Sequence, residues 1–196
     1  MSHPLLVVIT GPSAVGKDTL LERLRAGFPA AHFAITATTR PPREGEIDGV
    51  HYYFHSVPHF EAMIATGELL EHARVYGDWK GVPLAPVREA LGSGKDVLMR
   101  TDVQGARHIK EIEPGTVTIF IAPPSIEELH RRLNDRGADT DEQAAIRLKI
   151  ADEEMATAGE FDHTVINDDL DACVAEIEAI LEAERLRPGR KAVVID

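Results

Sequence analysis

The 196-residue sequence predicts an α/β fold in which helices pack against a parallel sheet. The first observation is a set of short apolar runs, rich in β-branched residues, that are typical of strands buried on both faces; they are Leu5 to Thr10, Asp96 to Thr101, Thr116 to Ala122 and His163 to Asn167. The second is that helical patterns separate these runs, as they do in parallel sheets. The third is a glycine-rich loop directly after the first run, which joins that strand to the first helix.

The segment after the first helix differs in character. The helical pattern ends at Gly27 and Pro29, which are both stop signals. Residues 36–86 then contain charged turns, the tripeptide YYF and a short helix that Ser56 caps. We interpret 36–86 as a substrate-binding insertion within a single domain, whose core consists of residues 1–35, 87–125 and 160–196.

Capping signals mark the helices of the second half. Ser125 with Glu128 forms a capping box before SIEELHRRL, and Thr140 with Gln143 forms another before a long helix that runs toward Gly159. A last helix is expected from about Leu170 to Arg187, followed by a solvated tail.

Composition narrows the class of protein. The net charge of -12 would repel a polyphosphate chain, so a general nucleic-acid binder is not expected. Cys173 is the only cysteine, so no intramolecular disulfide forms and a cytoplasmic location is the simplest expectation. The N-terminal run LLVVIT is too short for a secretory signal, and no apolar run approaches the ~20 residues that cross a membrane, so no membrane partner is expected.

The loop after the first strand has the spacing of a phosphate-binding loop. Gly11-x-x-x-x-Gly16-Lys17 lies between a strand and a helix, as this motif requires. Its backbone N–H groups and the helix N-terminus favour an anion, and the lysine reaches the β- and γ-phosphates. The alternative is an incidental glycine-rich turn. The candidate triphosphate contacts are Gly11, Pro12, Ser13, Ala14, Val15, Gly16, Lys17, Asp18 and Thr19.

The motif is altered at one position. A Ser or Thr normally follows the lysine and binds Mg²⁺ through its hydroxyl, but here the residue is Asp18. A carboxylate can bind Mg²⁺ directly or through water, so we treat Asp18 as a candidate metal contact.

A second cluster is suited to a phosphate monoester. Arg40 and Arg43 lie close together in the sequence and near Tyr52, and guanidinium groups bind phosphate through paired hydrogen bonds. Two solvated loop arginines are the alternative for this stretch taken alone.

The segments GPSAVGK, TTRPPREGEIDGVHYYF, LLEHARVYG, DVQGA, IAPPSIEELHRRL and VINDDLD together resemble guanylate kinase along nearly the whole chain. The resemblance implies a three-layer P-loop kinase core with a parallel sheet, a small mixed α+β GMP-binding insertion and a helical lid at about 126–159. It also implies direct in-line phosphoryl transfer from ATP with Mg²⁺ to GMP, and to dGMP. A monomer or a homodimer would fit.

The resemblance assigns the acceptor site residue by residue. Arg40, Arg43 and Tyr52 match the ligands of the GMP phosphate, and Glu46 matches the residue that braces them. Glu71 matches the residue that reads guanine, because a carboxylate accepts from both N1–H and the 2-amino group. Further matches are Thr36, near the base O6, and Asp102, near the base and the metal.

The resemblance also assigns the donor site. Arg136 and Arg147 match lid arginines that contact the ATP phosphates, and with Lys17 they form the expected catalytic set. Arg132 is a weaker candidate for ATP, and Asn167 matches a region that borders adenine. Read without the family, Arg131, Arg132 and Arg147 are more typical of solvated helix faces.

Three departures from the family lie near the acceptor. Lys80 stands where many members have tyrosine, Val82 where they have a small hydroxyl, and Arg100 where they have the first of two aspartates. Together with Asp18, this combination resembles the plastid and mitochondrial guanylate kinases of plants and some bacterial relatives. Our hypothesis is that Lys80 replaces the tyrosine as a phosphate contact, while Arg100 either assists it or pairs with a nearby carboxylate.

Two other functions remain open at this stage. A kinase for another small phosphate, such as ribose 1,5-bisphosphate, has a similar loop, and guanylate-kinase-like scaffold domains bind phosphopeptides without catalysis. A zinc site at His51, His55 and His59 is not expected, because their spacing aligns side chains only on a helix and this stretch is typical of a strand.

Overall fold

The computed structural model describes residues 3–75, 77–134 and 141–195. Its main sheet has five parallel strands, in the order β2-β7-β1-β8-β9. The strands are β1 (Leu6–Thr10), β2 (His32–Phe33), β7 (Val97–Arg100), β8 (Val117–Ala122) and β9 (His163–Ile166). The predicted parallel α/β core is confirmed, and the two-residue β2 is the strand that the sequence pattern missed.

Seven helices are described, and a 3-10 turn covers Ala158–Glu160. They are α1 (Lys17–Gly27), α2 (Val57–Ala65), α3 (Leu84–Gly92), α4 (Val103–Ile112), α5 (Ile126–Asn134), α6 (Asp141–Met155) and α7 (Leu170–Leu186). Alternate residues of β1 face opposite layers, as the period of a strand requires. Val7 and Ile9 lie in one apolar cluster with residues of α1 and α7, while Leu6 and Val8 lie in another with residues of α3 and α4. The fold therefore has three layers.

A second sheet lies beside the carboxyl end of β1. Its order is β4-β3-β6-β5, built from β3 (Thr36–Thr38), β4 (Tyr52–Phe54), β5 (Leu69–Val75) and β6 (Asp78–Pro83). The β3–β4 pair is parallel, and the β3–β6 and β5–β6 pairs are antiparallel. Phe60 of α2 stacks on Trp79 with ring centroids 5.9 Å apart, which attaches the helix to this mixed sheet.

The capping signals are confirmed in part. The Ser125 hydroxyl accepts a hydrogen bond from the Glu128 N–H at 3.2 Å, but the Glu128 carboxylate turns toward Arg131 and Arg132 instead of closing the predicted box. Two guanidinium groups outcompete one backbone N–H for that carboxylate. Thr140 lies outside the described residues.

None of the helices described between residues 3 and 195 is long and apolar enough to cross a membrane.

Candidate active site

The phosphate loop adopts the conformation that its glycines predict. Gly11 and Gly16 have φ values of 136° and 97°, in the region that favours glycine, and Gly16 immediately precedes α1. Ala14 has φ 66°, a left-handed conformation that is unusual for a residue with a Cβ. Asn167 braces the loop from behind, because its Nδ2 donates to the Val15 carbonyl at 2.7 Å.

Lys17 lies across the mouth of this loop. Its Nζ donates to the carbonyls of Gly11 at 2.6 Å and Pro12 at 2.9 Å. Burial lowers the pKa of Lys17 to about 8, although the nearby carboxylates of Glu154 and Asp18 oppose the shift. An anion in the loop would favour the charged ammonium, so the lysine is suited to hold phosphate.

The loop opens onto a cavity of about 590 Å³ that extends to the second sheet. This cavity joins the predicted donor and acceptor residues. Its lining includes Gly11, Ser13, Ala14, Gly16, Lys17, Asp18, Thr19, Thr36, Arg40, Arg43, Tyr52, Glu71, Lys80, Arg100, Asp102 and Arg147. Val75, Asp78, Thr101, Leu133 and Glu154 also line it, and the sequence had not singled them out.

The acceptor end carries a braced arginine pair. Both terminal nitrogens of Arg40 bind the Glu46 carboxylate at 2.6 Å, and the same carboxylate accepts the Arg43 N–H at 2.8 Å. The hydrogen bond from Arg40 is the main reason that the pKa of Glu46 falls to about 2. The Arg40 guanidinium lies 4.7 Å from the centroid of the Tyr52 ring. Glu46 does not line the cavity itself but fixes a residue that does.

The lining of the cavity also includes a buried carboxyl group. Glu71 of β5 is 4% exposed, and burial raises its pKa to about 8; Asp102 raises it further and Lys80 opposes. Gly105 of α4 makes this approach possible, because a Cβ there would lie 2.5 Å from Glu71 Oε2. Sequence reasoning assigned no role to Gly105; its place in DVQGA, three residues after the candidate acid Asp102, was the available signal.

Three of the departures from the family pattern, Asp18, Lys80 and Arg100, line the same cavity. Burial lowers the pKa of Lys80, which lines the wall next to the acceptor residues. Arg100 Nη1 lies 2.7 Å from Asp18 Oδ1, so the carboxylate with which Arg100 pairs belongs to the first turn of the loop helix.

Glu154 is a site residue that the sequence missed. It lies on α6 and lines the cavity beside Lys17, and its Oε2 is buried without a hydrogen-bond partner among the described residues. Burial raises the pKa of Glu154, while Lys17 and the Ser13 N–H oppose the shift. A signal was available, because Glu154 is two helical turns from Arg147 and therefore on the same face of α6.

Several predicted site residues do not line the cavity. Val82 is 1% exposed and packs in the core cluster that contains Leu70, so its assignment next to guanine is not supported by its position. An apolar side chain at a buried strand position favours the core over a polar pocket. Arg132 pairs with Glu128 at 2.7 Å. The Pro12 carbonyl accepts from Lys17 and the Val15 carbonyl accepts from Asn167, so these contacts hold the loop in shape. Arg136 lies outside the described residues.

No group of three or more His, Cys, Asp or Glu side chains within residues 3–75, 77–134 and 141–195 is arranged to hold a metal ion. The His51 ring instead accepts the Ile47 N–H through Nδ1 at 3.0 Å.

Comparison with known proteins gives one consistent result. A family model for guanylate kinase matches residues 3–184. The chain is 47% identical to a guanylate kinase of Carboxydothermus hydrogenoformans over 97% of this chain and 93% of the relative, and 44% identical to one of Gluconobacter oxydans over 97% and 92%. The crystal structure of guanylate kinase from Anaplasma phagocytophilum superposes with a TM-score of 0.80 at 32% identity, covering 97% of this chain and 90% of that one.

Proposed function

The chain belongs to the guanylate kinase family, and from that premise we propose that its cavity transfers the γ-phosphoryl group of ATP to GMP, giving ADP and GDP. The observation that carries the proposal is the single cavity lined both by the phosphate loop with Lys17 and by a buried carboxyl group and an arginine pair. The first part suits a triphosphate donor. The second suits a nucleotide with one phosphate and a base that offers hydrogen-bond donors.

On the acceptor side, Arg40, Arg43 and Tyr52 bind the GMP phosphate. Glu46 holds the Arg40 guanidinium in place, so little side-chain freedom is lost when the phosphate enters. Glu71 accepts from guanine N1–H and the 2-amino group, and Thr36 contacts the same end of the base. Adenine offers neither donor at those positions, so a buried Glu71 would be left unpaired with AMP.

On the donor side, the loop amides and Lys17 hold the β- and γ-phosphates. Arg147 of α6 lines the same cavity and neutralises charge that spreads over the transferring group. No covalent intermediate is needed, because this reaction depends on positioning and on electrostatic stabilisation. Arg136 completes the proposed catalytic set.

Magnesium fits this arrangement as an ion held mainly by phosphates and water. Mg²⁺ prefers oxygen ligands and needs only one or two carboxylates beside a nucleotide. Asp102 and Asp18 both line the cavity. Among the described residues, one oxygen of Asp102 accepts the Gly105 N–H at 2.8 Å and one oxygen of Asp18 pairs with Arg100, so the second oxygen of each could bind the ion. When bound, the ion would neutralise charge on the β- and γ-phosphates.

Acceptor specificity decides between this function and its rivals. Purified protein with ATP and Mg²⁺ should form ADP with GMP, and far more slowly with AMP, UMP or ribose 1,5-bisphosphate. Preference for ribose 1,5-bisphosphate would instead indicate the sugar-phosphate kinase. ATP binding in a folded sample, with no ADP formed on any acceptor, would indicate a non-catalytic domain.

Lys80 supplies a prediction about the acceptor phosphate. Replacing Lys80 with Ala removes a cation from the acceptor wall, so we expect KM for GMP to rise by about tenfold, the scale of one charge-assisted hydrogen bond, and KM for ATP to change less. Steady-state kinetics with each substrate varied measures both values. Lys95→Ala, which removes an equal charge from an exposed position, is the matched control. An unchanged KM for GMP would remove Lys80 from the site.

Glu71 supplies a prediction about protons. Its pKa of about 8 means that the carboxyl is mostly protonated in the empty pocket at pH 7, whereas binding guanine requires the ionised form. GMP binding at pH 7 should therefore release close to one more proton (~0.9) from the wild type than from Glu71→Gln. Calorimetric titration in buffers of different ionisation enthalpy measures this difference, and equal proton release from both proteins would contradict the assignment.

The same shift predicts how stability depends on pH. The folded-state pKa of Glu71 is raised above its usual value of about 4.5, so its contribution to stability is fully present below pH 4.5 and is lost as the pH rises through about 8. In the absence of GMP, Glu71→Gln should flatten this decline in the free energy of unfolding.

A further inference from the structure

We propose that the ion pair between Asp18 and Arg100 couples the ATP loop to the GMP pocket, with Arg100 acting as a positioning residue for Tyr52. The inference rests on the proposed function, because it assigns Tyr52 to the acceptor site. A substitution in the first turn of α1 would then change the affinity of the protein for GMP.

The contacts of Arg100 join three parts of the fold. The residue ends strand β7 of the main sheet, and its Nη1 pairs with Asp18 Oδ1 of α1 at 2.7 Å. Its Nη2 donates to the His51 carbonyl at 3.2 Å, directly before strand β4 of the second sheet. One planar group therefore connects the core, the helix of the phosphate loop and the acceptor sheet.

Arg100 also contacts a proposed GMP ligand. Its guanidinium carbon lies 4.5 Å from the centroid of the Tyr52 ring, and the guanidinium carbon of Arg40 lies 4.7 Å from the same centroid. Both distances suit cation–π attraction. The position of the tyrosine therefore depends on two arginines, of which Glu46 fixes the first and Asp18 the second.

Exposure shows which partner is the fixed one. The Arg100 side chain is 18% exposed and the Asp18 side chain 59% exposed. The guanidinium thus lies in the cavity wall, while the carboxylate reaches it from the more open side of the cavity. A planar fork can bind Asp18 and His51 at once while stacking on the ring, whereas an ammonium group in its place has no planar face to stack.

Loss of Asp18 should therefore weaken GMP binding through Arg100. Without the carboxylate, the guanidinium keeps only the His51 carbonyl and the Tyr52 ring as partners of those described. It then has no ion-pair partner of its own in a cavity that also contains Lys17 and Lys80. We expect the guanidinium to leave its place over the ring, which would release Tyr52 from its defined position and weaken its contact with GMP.

A double-mutant cycle on GMP affinity tests the coupling. GMP is titrated calorimetrically into ATP-free protein for the wild type, Asp18→Asn, Arg100→Gln and the double variant. We expect each single variant to weaken GMP binding about three- to fivefold, the scale of a partly exposed ion pair. We expect the double variant to bind no more weakly than Arg100→Gln, since Asp18 affects GMP only through Arg100.

Controls separate this role from a general one. Glu22→Gln removes the same charge from an exposed position on the same helix and should leave GMP affinity unchanged. Arg100→Lys keeps the charge without the planar fork, so it should bind GMP more weakly than the wild type. Because the charge remains, adding Asp18→Asn to this variant should still change its GMP affinity. Thermal unfolding of each variant identifies any that fail to fold, and Arg100→Lys then replaces Arg100→Gln in the cycle.

Two results would overturn the inference: GMP affinity in Asp18→Asn equal to that of the wild type, or losses that simply add in the double variant. Both leave the proposed function standing, because the wild type would still bind and phosphorylate GMP. A wild type that binds no GMP would refute the proposed function and the inference with it.

Discussion

Replacing Lys17 with Met should reduce kcat for GDP formation by about a hundred- to a thousandfold, the scale of removing one preorganised donor from a developing charge. The methionine keeps most of the bulk but lacks the ammonium that now binds the loop carbonyls of Gly11 and Pro12. Because the acceptor residues are untouched, KM for GMP should change little. Initial rates with saturating ATP and varied GMP measure both quantities.

The loss of kcat is informative only if the Lys17→Met variant remains folded. Lys17 is buried with a depressed pKa, so a neutral side chain removes a desolvation cost, which offsets part of the loss of its two hydrogen bonds to the loop carbonyls. A midpoint of thermal unfolding well above the assay temperature is the control. A kcat within a few fold of the wild type would show that Lys17 does not act on the transferring phosphoryl group.

Replacing Glu71 with Gln should lower kcat/KM for GMP on the order of 10²- to 10⁴-fold, because a site built around one hydrogen-bonding pattern rejects a mismatched partner strongly. Glutamine presents one acceptor and one donor, whereas guanine offers donors at both N1 and the 2-amino group. The amide therefore leaves one guanine donor facing another donor in a buried wall.

Inosine monophosphate distinguishes base reading from general damage, since it keeps N1–H and lacks the 2-amino group. The wild type should prefer GMP to inosine monophosphate strongly, and Glu71→Gln should lose most of that preference. Equal preference in both proteins would mean that another residue reads the base. The midpoint of thermal unfolding reports whether the variant remains folded.

The parts of the fold that follow from local pattern could be predicted from the sequence. The apolar run before Gly11 has no alternation, so it indicates a strand buried on both faces, and β1 is the central strand of the main sheet. The strand β2 has two residues and no periodicity of its own; it exists because it pairs with β7. Its pairing depends on tertiary structure, which a local pattern does not contain.

The site could be predicted where residue chemistry determines it, and less well where packing does. Arg40 and Glu46 lie in one short loop, so their pairing is a local matter. Asp18 and Arg100 are distant in sequence. They form an ion pair only because α1 begins, and β7 ends, at the carboxyl end of the parallel strands. Val82 packs in the core, and the register shift in its pairing with β5 lies beside it, where simple alternation fails.

Glu154 illustrates what local pattern misses. It follows two other acidic residues on α6 and resembles a solvated helix face in the sequence. In the structure it lies at the phosphate loop, near Ser13 and Lys17, although these residues are far from it in the sequence. Its place on the same face of α6 as Arg147 is the local signal, and the packing of α6 against the loop reveals the role.

A label on the γ-phosphate of ATP tests most directly whether the phosphoryl group is transferred to GMP. Protein is incubated with Mg²⁺, GMP and ATP labelled at the γ-phosphate, and the nucleotides are separated. We expect label in the β-phosphate of GDP, in amounts equal to the ADP formed, and none in inorganic phosphate beyond the enzyme-free control. Label that appears only in inorganic phosphate, or that stays in ATP while GMP is bound, would contradict it.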